Sequence, residues 1–307
     1  SPVAGTILSG SGTVQSVTLT VTDAAGNFDN SCTFDVSLID NIDPVFTFCP
    51  ADVTIDVDAS CNIALADYTG LATASDNCDP TPVITQSPVA GTILNGHGTT
   101  QLVTLTVTDA SGNFDNSCTF TITLNDAIDP VAVCQDITIN LDGFGNASIV
   151  PADVDGGSTD NCNLDNASFT VSPNAFTSAD LGPNNVTLTV FDEAGNSATC
   201  VAVVTVTDLT PPTAVCQDIS VNLDATGNIT ITGLDIDGGS TDNGTIVSYV
   251  ASPNAFTCAE VGPNNVTLTV TDDAGLTGTC IAVVTVVDNI VPIMACQNIT
   301  VQLDGSG

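Results

Sequence analysis

The chain has 307 residues, and its 35 aspartates and glutamates stand against no lysine or arginine, which gives a formal charge of −35. Nucleic acids and anionic membranes are bound through basic side chains, so this composition excludes both as direct partners. With 43% hydrophobic residues the chain can bury a core, and its acids must be solvated, hydrogen-bonded or neutralised by cations.

Short β-strands are predicted along the chain. In chain order, "DVTIDVD" at 52–58, "VTLTVTD" at 103–109 and "CTFTITLND" at 118–126 alternate apolar residues with threonine or aspartate. This alternation is typical of strands with one buried and one solvated face. The stretches "DASGN", "DEAGN" and "GPNN" predict turns. Roughly six or seven strands in about 80 residues predict an all-β fold, a tandem array of immunoglobulin-like β-sandwich domains.

The sequence repeats itself. Residues 1–40 and 87–126 align without a gap, with 31 of 40 positions identical. The junction prolines Pro44, Pro130, Pro212 and Pro292 are 86, 82 and 80 residues apart. These periods are too long for a solenoid unit and indicate an array of small domains. We predict five segments: the C-terminal part of a repeat at 1–42, repeat 1 at 43–128, repeat 2 at 129–210, repeat 3 at 211–290, and the N-terminal part of a repeat at 291–307.

An acidic proline junction, "CP" or "CQD", "SDNC" or "TDNC", and "VTLTVTDASGNFDNSCTF" recur in this order. The order resembles the HYR (hyalin repeat) module. The version "PPTAVCQDISVNLDATGNITI", followed by "DIDGGSTDN", "SPNAF" and "VGPNNVTLTVTD", is similar to the repeats of giant SprB-like surface adhesins of gliding Bacteroidota. The resemblance covers essentially the whole chain. It implies an immunoglobulin-like fold and a role in adhesion or as a stalk, and it implies no catalysis.

The predicted function is a structural stalk or filament segment of a large secreted cell-surface adhesin, serving surface attachment or gliding motility. Linkers of one to three residues with a proline would hold the domains end to end as a rod. The alternative is a calcium-dependent module that binds a ligand or carbohydrate. Adjacent repeats of the same chain are the expected partners, with surface polysaccharide or like filaments as further candidates. Both termini fall inside repeats, so we expect an excerpt of a longer chain.

Twelve cysteines recur at equivalent repeat positions without a Cys-x-x-Cys pair, which favours disulfides over zinc and an extracellular location. Each cysteine that opens a last strand has an early counterpart in its repeat, and two further cysteines remain in repeat 1. Four cysteines allow three connectivities, so the pairing in repeat 1 is a choice. The predicted disulfides are Cys49–Cys118, Cys61–Cys78, Cys134–Cys200 and Cys216–Cys280.

Four cysteines have no partner in this scheme. We expect Cys32 and Cys296, which lie in the part-repeats, to bridge within completed domains. Cys162 and Cys258 each look like half of a bridge whose other half has been lost. Two interpretations stay open for them, buried thiols or cross-links to another chain.

Two kinds of acidic segment are candidate calcium sites, because calcium prefers several oxygen ligands. The first is the loop "DVDGGSTDN" or "DIDGGSTDN", whose Asp-x-Asp-Gly start resembles a calcium loop but lacks the full EF-hand spacing. The alternative is a solvated turn with local hydrogen bonds. The candidate ligands of this loop are Asp153, Asp155, Asp160, Asp235, Asp237 and Asp242.

The second candidate is the junction itself, which is similar to the calcium-rigidified junction of cadherins. Turn acids such as Asp23 and Asp109 are its expected neighbours. Asp208 and Asp288 are not followed by a second aspartate, which predicts weaker sites at the later junctions. The alternative is an Asp-Pro turn that only ends a strand. The candidate junction ligands are Asp40, Asp43, Asp126 and Asp129.

No catalytic site is predicted. His97, the only histidine, lies in the turn "LNGHGTT", and no lysine is available as a base or Schiff-base former. Acids that recur in equivalent turns do not form one unique active site. We therefore predict that the chain is not an enzyme and needs no cofactor beyond structural calcium.

Overall fold

A computed structural model of the protein describes residues 2–307. The chain divides into two compact units, both built mainly from β-strands. The strands form the immunoglobulin-like sandwiches that the alternating sequence predicts, and disulfides staple them. Unit 1 comprises Ser1–Ala132, Ser158–Phe169 and Thr189–Ala198, and unit 2 comprises Val133–Gly157, Thr170–Leu188 and Thr199–Gly307.

Unit 1 begins with a hairpin of two strands, β1 (Val14–Thr22) and β2 (Phe28–Ser37). A short 3-10 helix, Thr69–Leu71, interrupts the strands that follow. The strands of repeat 1 are β3 (Val45–Phe48), β4 (Val53–Asp56), β5 (Asn62–Ala64), β6 (Thr73–Ser75), β7 (Val83–Ser87), β8 (Ile93–Asn95), β9 (Thr100–Thr108) and β10 (Phe114–Asn125).

The main sheet of repeat 1 has the strand order β4-β10-β9-β7, and the smaller sheets are β3-β6 and β5-β8. Strands β9 and β10 are antiparallel, whereas β4 runs parallel to β10, with Val53 opposite Ile122. The domain is therefore closed by pairing an early strand with its last strand. The ends of β9 and β10 also define the two ends of the sandwich.

The alternation in β9 and β10 builds the core of repeat 1. Val103, Leu105 and Ile122 are completely buried, while the threonines between them remain partly or fully exposed. Phe120 packs edge-to-face on Tyr68, with ring centroids 5.1 Å apart. Burying each such side chain contributes about 1.5–3 kcal/mol to the stability of the domain.

The later strands repeat this plan. Repeat 2 also contains the helix α1 (Pro151–Val154), and 3-10 helices cover Ser178–Asp180, Gly233–Ile236 and Cys258–Glu260. In the part of the chain described, no strand follows residue 287. The strands are β11 (Ile137–Asn140), β12 (Asn146–Ser148), β13 (Thr170–Ser172), β14 (Ala175–Thr177), β15 (Gly182–Phe191), β16 (Ser197–Thr207), β17 (Ile219–Asn222), β18 (Asn228–Thr230), β19 (Ile246–Ser252), β20 (Ala255–Thr257), β21 (Gly262–Asp272) and β22 (Thr277–Val287).

The sheets of repeats 2 and 3 have equivalent strand orders, β11-β16-β15-β13 and β17-β22-β21-β19, each with a small second sheet, β12-β14 or β18-β20. In both, the first strand is parallel to the last. The limits of the five segments stay a prediction, but each four-stranded sheet takes its strands from one predicted repeat.

Three disulfides join an early cysteine to the last long strand of the same repeat. They are Cys49–Cys118, Cys134–Cys200 and Cys216–Cys280, the same cysteines that the repeat alignment pairs. Their Cα atoms are 5.5, 5.8 and 5.8 Å apart, within the range that a disulfide spans.

The predicted Cys61–Cys78 bridge is wrong. Cys61 is bonded to Cys162 of repeat 2, with a Cα–Cα distance of 5.0 Å, and Cys78 is an exposed thiol. The reason is that Cys61 and Cys78 lie at opposite ends of the repeat 1 sandwich, separated by the length of β9, about 30 Å. Cys162 is therefore neither a buried thiol nor a link to another chain, and Cys258 is exposed rather than buried.

Non-reducing peptide mapping checks this connectivity. Because the chain has no trypsin sites, digestion at aspartate suits it. We expect a peptide pair that joins Cys61 to Cys162 and none that joins Cys61 to Cys78. Recovery of the latter from native protein would contradict the described arrangement of repeats 1 and 2.

Candidate metal centre

Aspartates converge in three places, and each group takes one residue from three separate segments. In every group one carboxylate oxygen per residue lies within 4.8 Å of the others. Each contains a junction aspartate that follows a last strand, a loop aspartate from the Ser/Thr-Asp-Asn stretch, and a hairpin aspartate between the last two long strands. We name them cluster 1 (Asp40, Asp76, Asp109), cluster 2 (Asp126, Asp160, Asp192) and cluster 3 (Asp208, Asp242, Asp272).

The junction aspartate is held by the backbone that follows it. Asp126 Oδ1 accepts the N–H of Ile128 at 3.1 Å, and Asp208 Oδ1 accepts the N–H of Thr210 at 2.9 Å. Such a turn is the usual result when aspartate ends a strand shortly before a proline. It fixes one oxygen and leaves the other free to point away from the turn.

The loop aspartate is fixed in the same way. Asp160 Oδ2 accepts the N–H of Cys162 at 2.8 Å, and Asp242 Oδ2 accepts the N–H of Gly244 at 2.8 Å. In cluster 1, backbone N–H groups of Asp79 and Cys78 hold the pKa of Asp76 below its usual value. Hydrogen bonds to the charged form keep this carboxylate ionised at neutral pH.

The hairpin aspartate positions an asparagine of its own turn, and that asparagine contacts the preceding repeat. In cluster 2, Asp192 accepts the backbone N–H of Asn196 at 2.8 Å and its side-chain amide at 2.7 Å. The same amide donates to the carbonyl oxygen of Asp126 at 3.1 Å. Cluster 3 has Leu276 at the position of this asparagine, so Asp272 Oδ2 has no hydrogen-bond partner.

A second asparagine crosses each of the later two junctions. Asn161 Nδ2 donates to Asp126 Oδ1 at 3.2 Å and to the carbonyl oxygen of Asp58 at 3.3 Å. Asn243 makes the equivalent bonds to Asp208 at 3.2 Å and to Asp142 at 3.0 Å. The loop of one repeat is thereby bound to the aspartate after the last strand of the repeat before it. It is also bound to an early turn of that repeat, between β4 and β5 or between β11 and β12.

The early turn that contacts the next repeat forms a disulfide at one junction and has a glycine at the equivalent position of the next. Cys61, the only non-glycine residue with positive φ in residues 2–307, adopts φ 60° and bonds Cys162. Gly145 occupies the equivalent turn position with φ 75°, and a Cβ there would lie 2.1 Å from the carbonyl oxygen of Asn243. Glycine therefore permits an approach at the second junction that no side chain fits.

No positively charged lysine or arginine side chain balances the negative charge of the clusters. Two carboxylates 4.8 Å apart repel each other by roughly 3 kcal/mol at the effective dielectric of a protein surface. No lysine or arginine exists to offset this repulsion. The side chain of His97 instead accepts a hydrogen bond, from the N–H of Asp126 to its Nδ1 at 3.1 Å.

Aspartates from the two kinds of predicted calcium segment lie together in the same clusters. Junction residues Asp40 and Asp126 and loop residues Asp160 and Asp242 lie in clusters, and Asp109 lies in the same cluster as Asp40. Asp208 completes a cluster without a second junction aspartate. The second aspartates, Asp43 and Asp129, are exposed and lie outside the clusters.

The first half of each acidic loop has a local structural role. Asp153 accepts the N–H of Val150 at 2.7 Å at the start of α1, and Asp155 accepts the N–H of Gly157 at 3.3 Å. Asp235 and Asp237 likewise bond Thr232 and Ser240. Asp23 bonds within its own hairpin turn. None of these residues belongs to a cluster.

The sequence patterns did not identify Asp76, Asp192 and Asp272 as candidate ligands. They predicted only a weaker site at Asp208. A signal was present, because every whole repeat carries one aspartate in "SDN" or "TDN" and another in the Asp-x-Ala/Ser-Gly turn. The pattern does not predict that both turns lie at the same end of the sandwich. That end faces the last strand of the preceding repeat.

Comparison with known proteins identifies part of the chain. Residues 40–124 match the family model of the HYR domain. The chain is also 29% identical over 216 residues to hyalin of Strongylocentrotus purpuratus, a match that covers 65% of this chain and 17% of hyalin. Both findings support the HYR repeat family. The HYR match begins at Asp40 and thus includes the whole of cluster 1.

Solved structures with some likeness are multidomain proteins. Titin domains I67–I69 give a TM-score of 0.37 at 13% identity, covering 79% of this chain and 98% of that one. Mouse cadherin-23 EC22–24 gives 0.30 at 14% identity, covering 80% and 99%. Likeness at this level carries no functional argument. Among the described residues, no helix is both long and apolar enough to cross a membrane.

Proposed function

We propose that the chain is a structural stalk segment of a large secreted adhesion protein at the cell surface. Its working parts are repeats 1, 2 and 3, with the limits predicted from the sequence, and each repeat serves to hold the next at a fixed angle. The HYR match and the hyalin likeness support an adhesion-type repeat. The finer assignment, an SprB-like adhesin of gliding Bacteroidota, rests on the sequence resemblance.

One observation carries this proposal: the repeats are joined by a recurring set of contacts rather than by flexible linkers. Asn161 and Asn243 make the same pair of bonds to the preceding repeat. The junction prolines Pro130 and Pro212 are buried, as are the junction aspartates beside them. A linker whose aspartate and proline are buried at the junction transmits orientation, which is what a stalk requires.

An extracellular location is part of the proposal. Four disulfides in a chain of 307 residues suit an oxidising compartment, where small domains commonly use them to supplement thin cores. Calcium, which is abundant outside cells, is the structural cofactor we propose. Adjacent repeats are the proposed partners, with surface polysaccharide and like filaments as further ones.

The alternative function, a calcium-dependent module that binds a ligand or carbohydrate, favours an exposed loop with tryptophan or tyrosine, whose rings combine an apolar face with a polar group. The chain has no tryptophan, and Tyr68 is buried against Phe120. Tyr249 is half-buried against the core of repeat 3. Both tyrosines thus serve packing, which favours the structural role over ligand binding. We also propose no enzymatic activity.

Small-angle scattering of the oxidised chain in calcium tests the stalk. With roughly 35–45 Å per repeat, we expect a maximum dimension above about 110 Å and a narrow distribution of shapes. Six Gly/Ser residues inserted between Leu209 and Thr210 should broaden that distribution. The same insertion between the exposed residues Ala225 and Thr226 serves as the control and should not. A compact particle, or equal effects of both insertions, would sink the stalk proposal.

A further inference from the structure

We infer that each aspartate cluster is a calcium site that two consecutive repeats complete together. The junction aspartate comes from the end of one repeat, and the loop and hairpin aspartates come from the next. The inference rests on the proposed array, because an isolated repeat would contain only part of any site. It assigns the ligands as the three aspartates of each cluster.

The first argument is a pattern of unpaired oxygens. Buried polar atoms in proteins almost always have a hydrogen-bond partner. In residues 2–307, every buried side-chain atom without one belongs to a cluster or to the asparagine after its loop aspartate. The orphaned atoms are Oδ2 of Asp40, Asp126, Asp208 and Asp272, Oδ1 of Asp76, Asp160 and Asp242, and Oδ1 of Asn161 and Asn243.

The second argument is that the same oxygen of the junction aspartate, and the same oxygen of the loop aspartate, is unpaired in every cluster. In each cluster the backbone binds Oδ1 of the junction aspartate and Oδ2 of the loop aspartate, and the opposite oxygen of each is orphaned. The local turns therefore hold each carboxylate by one oxygen and present the other to the cluster. Three separate junctions repeat this arrangement with different neighbouring residues.

The third argument is burial of uncompensated charge. The junction aspartates Asp40, Asp126 and Asp208 are only 7%, 2% and 5% exposed. An ionised carboxylate so far from water requires a positive partner or a set of donors. Each has hydrogen-bond donors on one oxygen only, and the chain has no lysine or arginine to compensate the other, so a compensating positive charge would come from solution.

The donor set favours calcium. All three ligands are carboxylates, which hard cations prefer, whereas zinc selects histidine and cysteine. Cysteine is not a constant part of the site, since its loop position is Cys78 in cluster 1, the disulfide-bonded Cys162 in cluster 2 and Gly244 in cluster 3. Magnesium demands a near-ideal octahedron and retains its waters, so ligands fixed by two different repeats suit the more adaptable calcium ion.

Calcium titration of the oxidised full chain tests the assignment, by calorimetry and by metal analysis after dialysis at constant ionic strength. We expect three ions per chain. Asp126→Asn should remove one ion or weaken its binding at least roughly tenfold. Asp129→Asn removes the same charge three residues away at an exposed position and should keep all three ions. Asp208→Asn should likewise cost one ion, at the other end of repeat 2.

Melting curves separate lost binding from misfolding. In EDTA, Asp126→Asn relieves repulsion in the empty cluster, so its melting temperature should equal or exceed that of the parent chain. In calcium the order should reverse, and magnesium at equal ionic strength should not restore it. Misfolding would instead lower the melting temperature in both solutions.

Failure of the inference is distinguishable from failure of the stalk. If Asp126→Asn and Asp129→Asn bind calcium equally, or if sodium matches calcium, the clusters are not sites, even when scattering still shows an extended array. If three ions bind with the expected losses but the particle is compact, the sites stand and the stalk falls.

Discussion

Replacing Cys216 and Cys280 together by serine is expected to lower the free energy of unfolding of repeat 3 by about 2–5 kcal/mol. The bridge closes a loop of 64 residues, and without it the unfolded chain regains the conformational entropy that this closure removes. Both cysteines also pack against the core, whose buried members include Val284 and Phe256. Serine would place hydroxyl groups there, which adds to the loss.

Tyrosine fluorescence measures this effect. The chain has no tryptophan, and in a Tyr68→Phe background Tyr249 reports on repeat 3 alone. Cys258→Ser is the matched control, since Cys258 is exposed and forms no disulfide. Urea midpoints should fall for the double variant and stay the same for the control. Equal midpoints would mean that the Cys216–Cys280 bridge is not a main source of stability.

Alanine at Gly145 is expected to destabilise the junction between repeats 2 and 3 by roughly 2–3 kcal/mol. A left-handed backbone costs a non-glycine residue about 1–2 kcal/mol. The added Cβ would also lie 2.1 Å from the carbonyl oxygen of Asn243, so this loop must move. Movement puts at risk the 3.0 Å bond from Asn243 to the carbonyl oxygen of Asp142, worth about 0.5–1.5 kcal/mol.

Gly143→Ala is the control, because it lies two residues away in the same turn with no positive φ and open space around its Cβ position. It should be neutral or slightly stabilising. Hydrogen exchange of the 241–245 loop measures the difference and should accelerate only in Gly145→Ala. Equal exchange in the two variants would mean that the close approach contributes nothing to the junction.

Much of the fold follows from the sequence because it depends on local alternation. The threonines on either side of Val103, Leu105 and Ile122 predict that these three residues share a buried face. The cysteines at equivalent repeat positions predict the three bridges within repeats. The Cys61–Cys78 error has a different origin. Which end of a sandwich a turn occupies depends on the number and direction of the intervening strands, and alternation alone does not state this.

The aspartate clusters were only half predictable for the same reason. Asp126 and Asp160 were both candidates, but as members of two sites 34 positions apart, and Asp192 was not a candidate. Their meeting needs β15 and β16 to return the hairpin turn to the end at which the loop lies. The second aspartates, such as Asp129, were misleading because a run of acids at a turn is equally consistent with solvation.

The position of the clusters also gives every repeat two unlike ends. In repeat 1, Asp76 and Asp109 lie at one end and Asp126 at the other, with β9 between them. In the array that we propose, a joint would form only between a junction aspartate and a loop-hairpin pair, because two like ends would offer either too few carboxylates or too many. Such a contact is heterologous, so no two-fold axis relates the repeats that it joins. The proposed array would therefore be polar, and a force applied at one end would meet every joint in the same orientation.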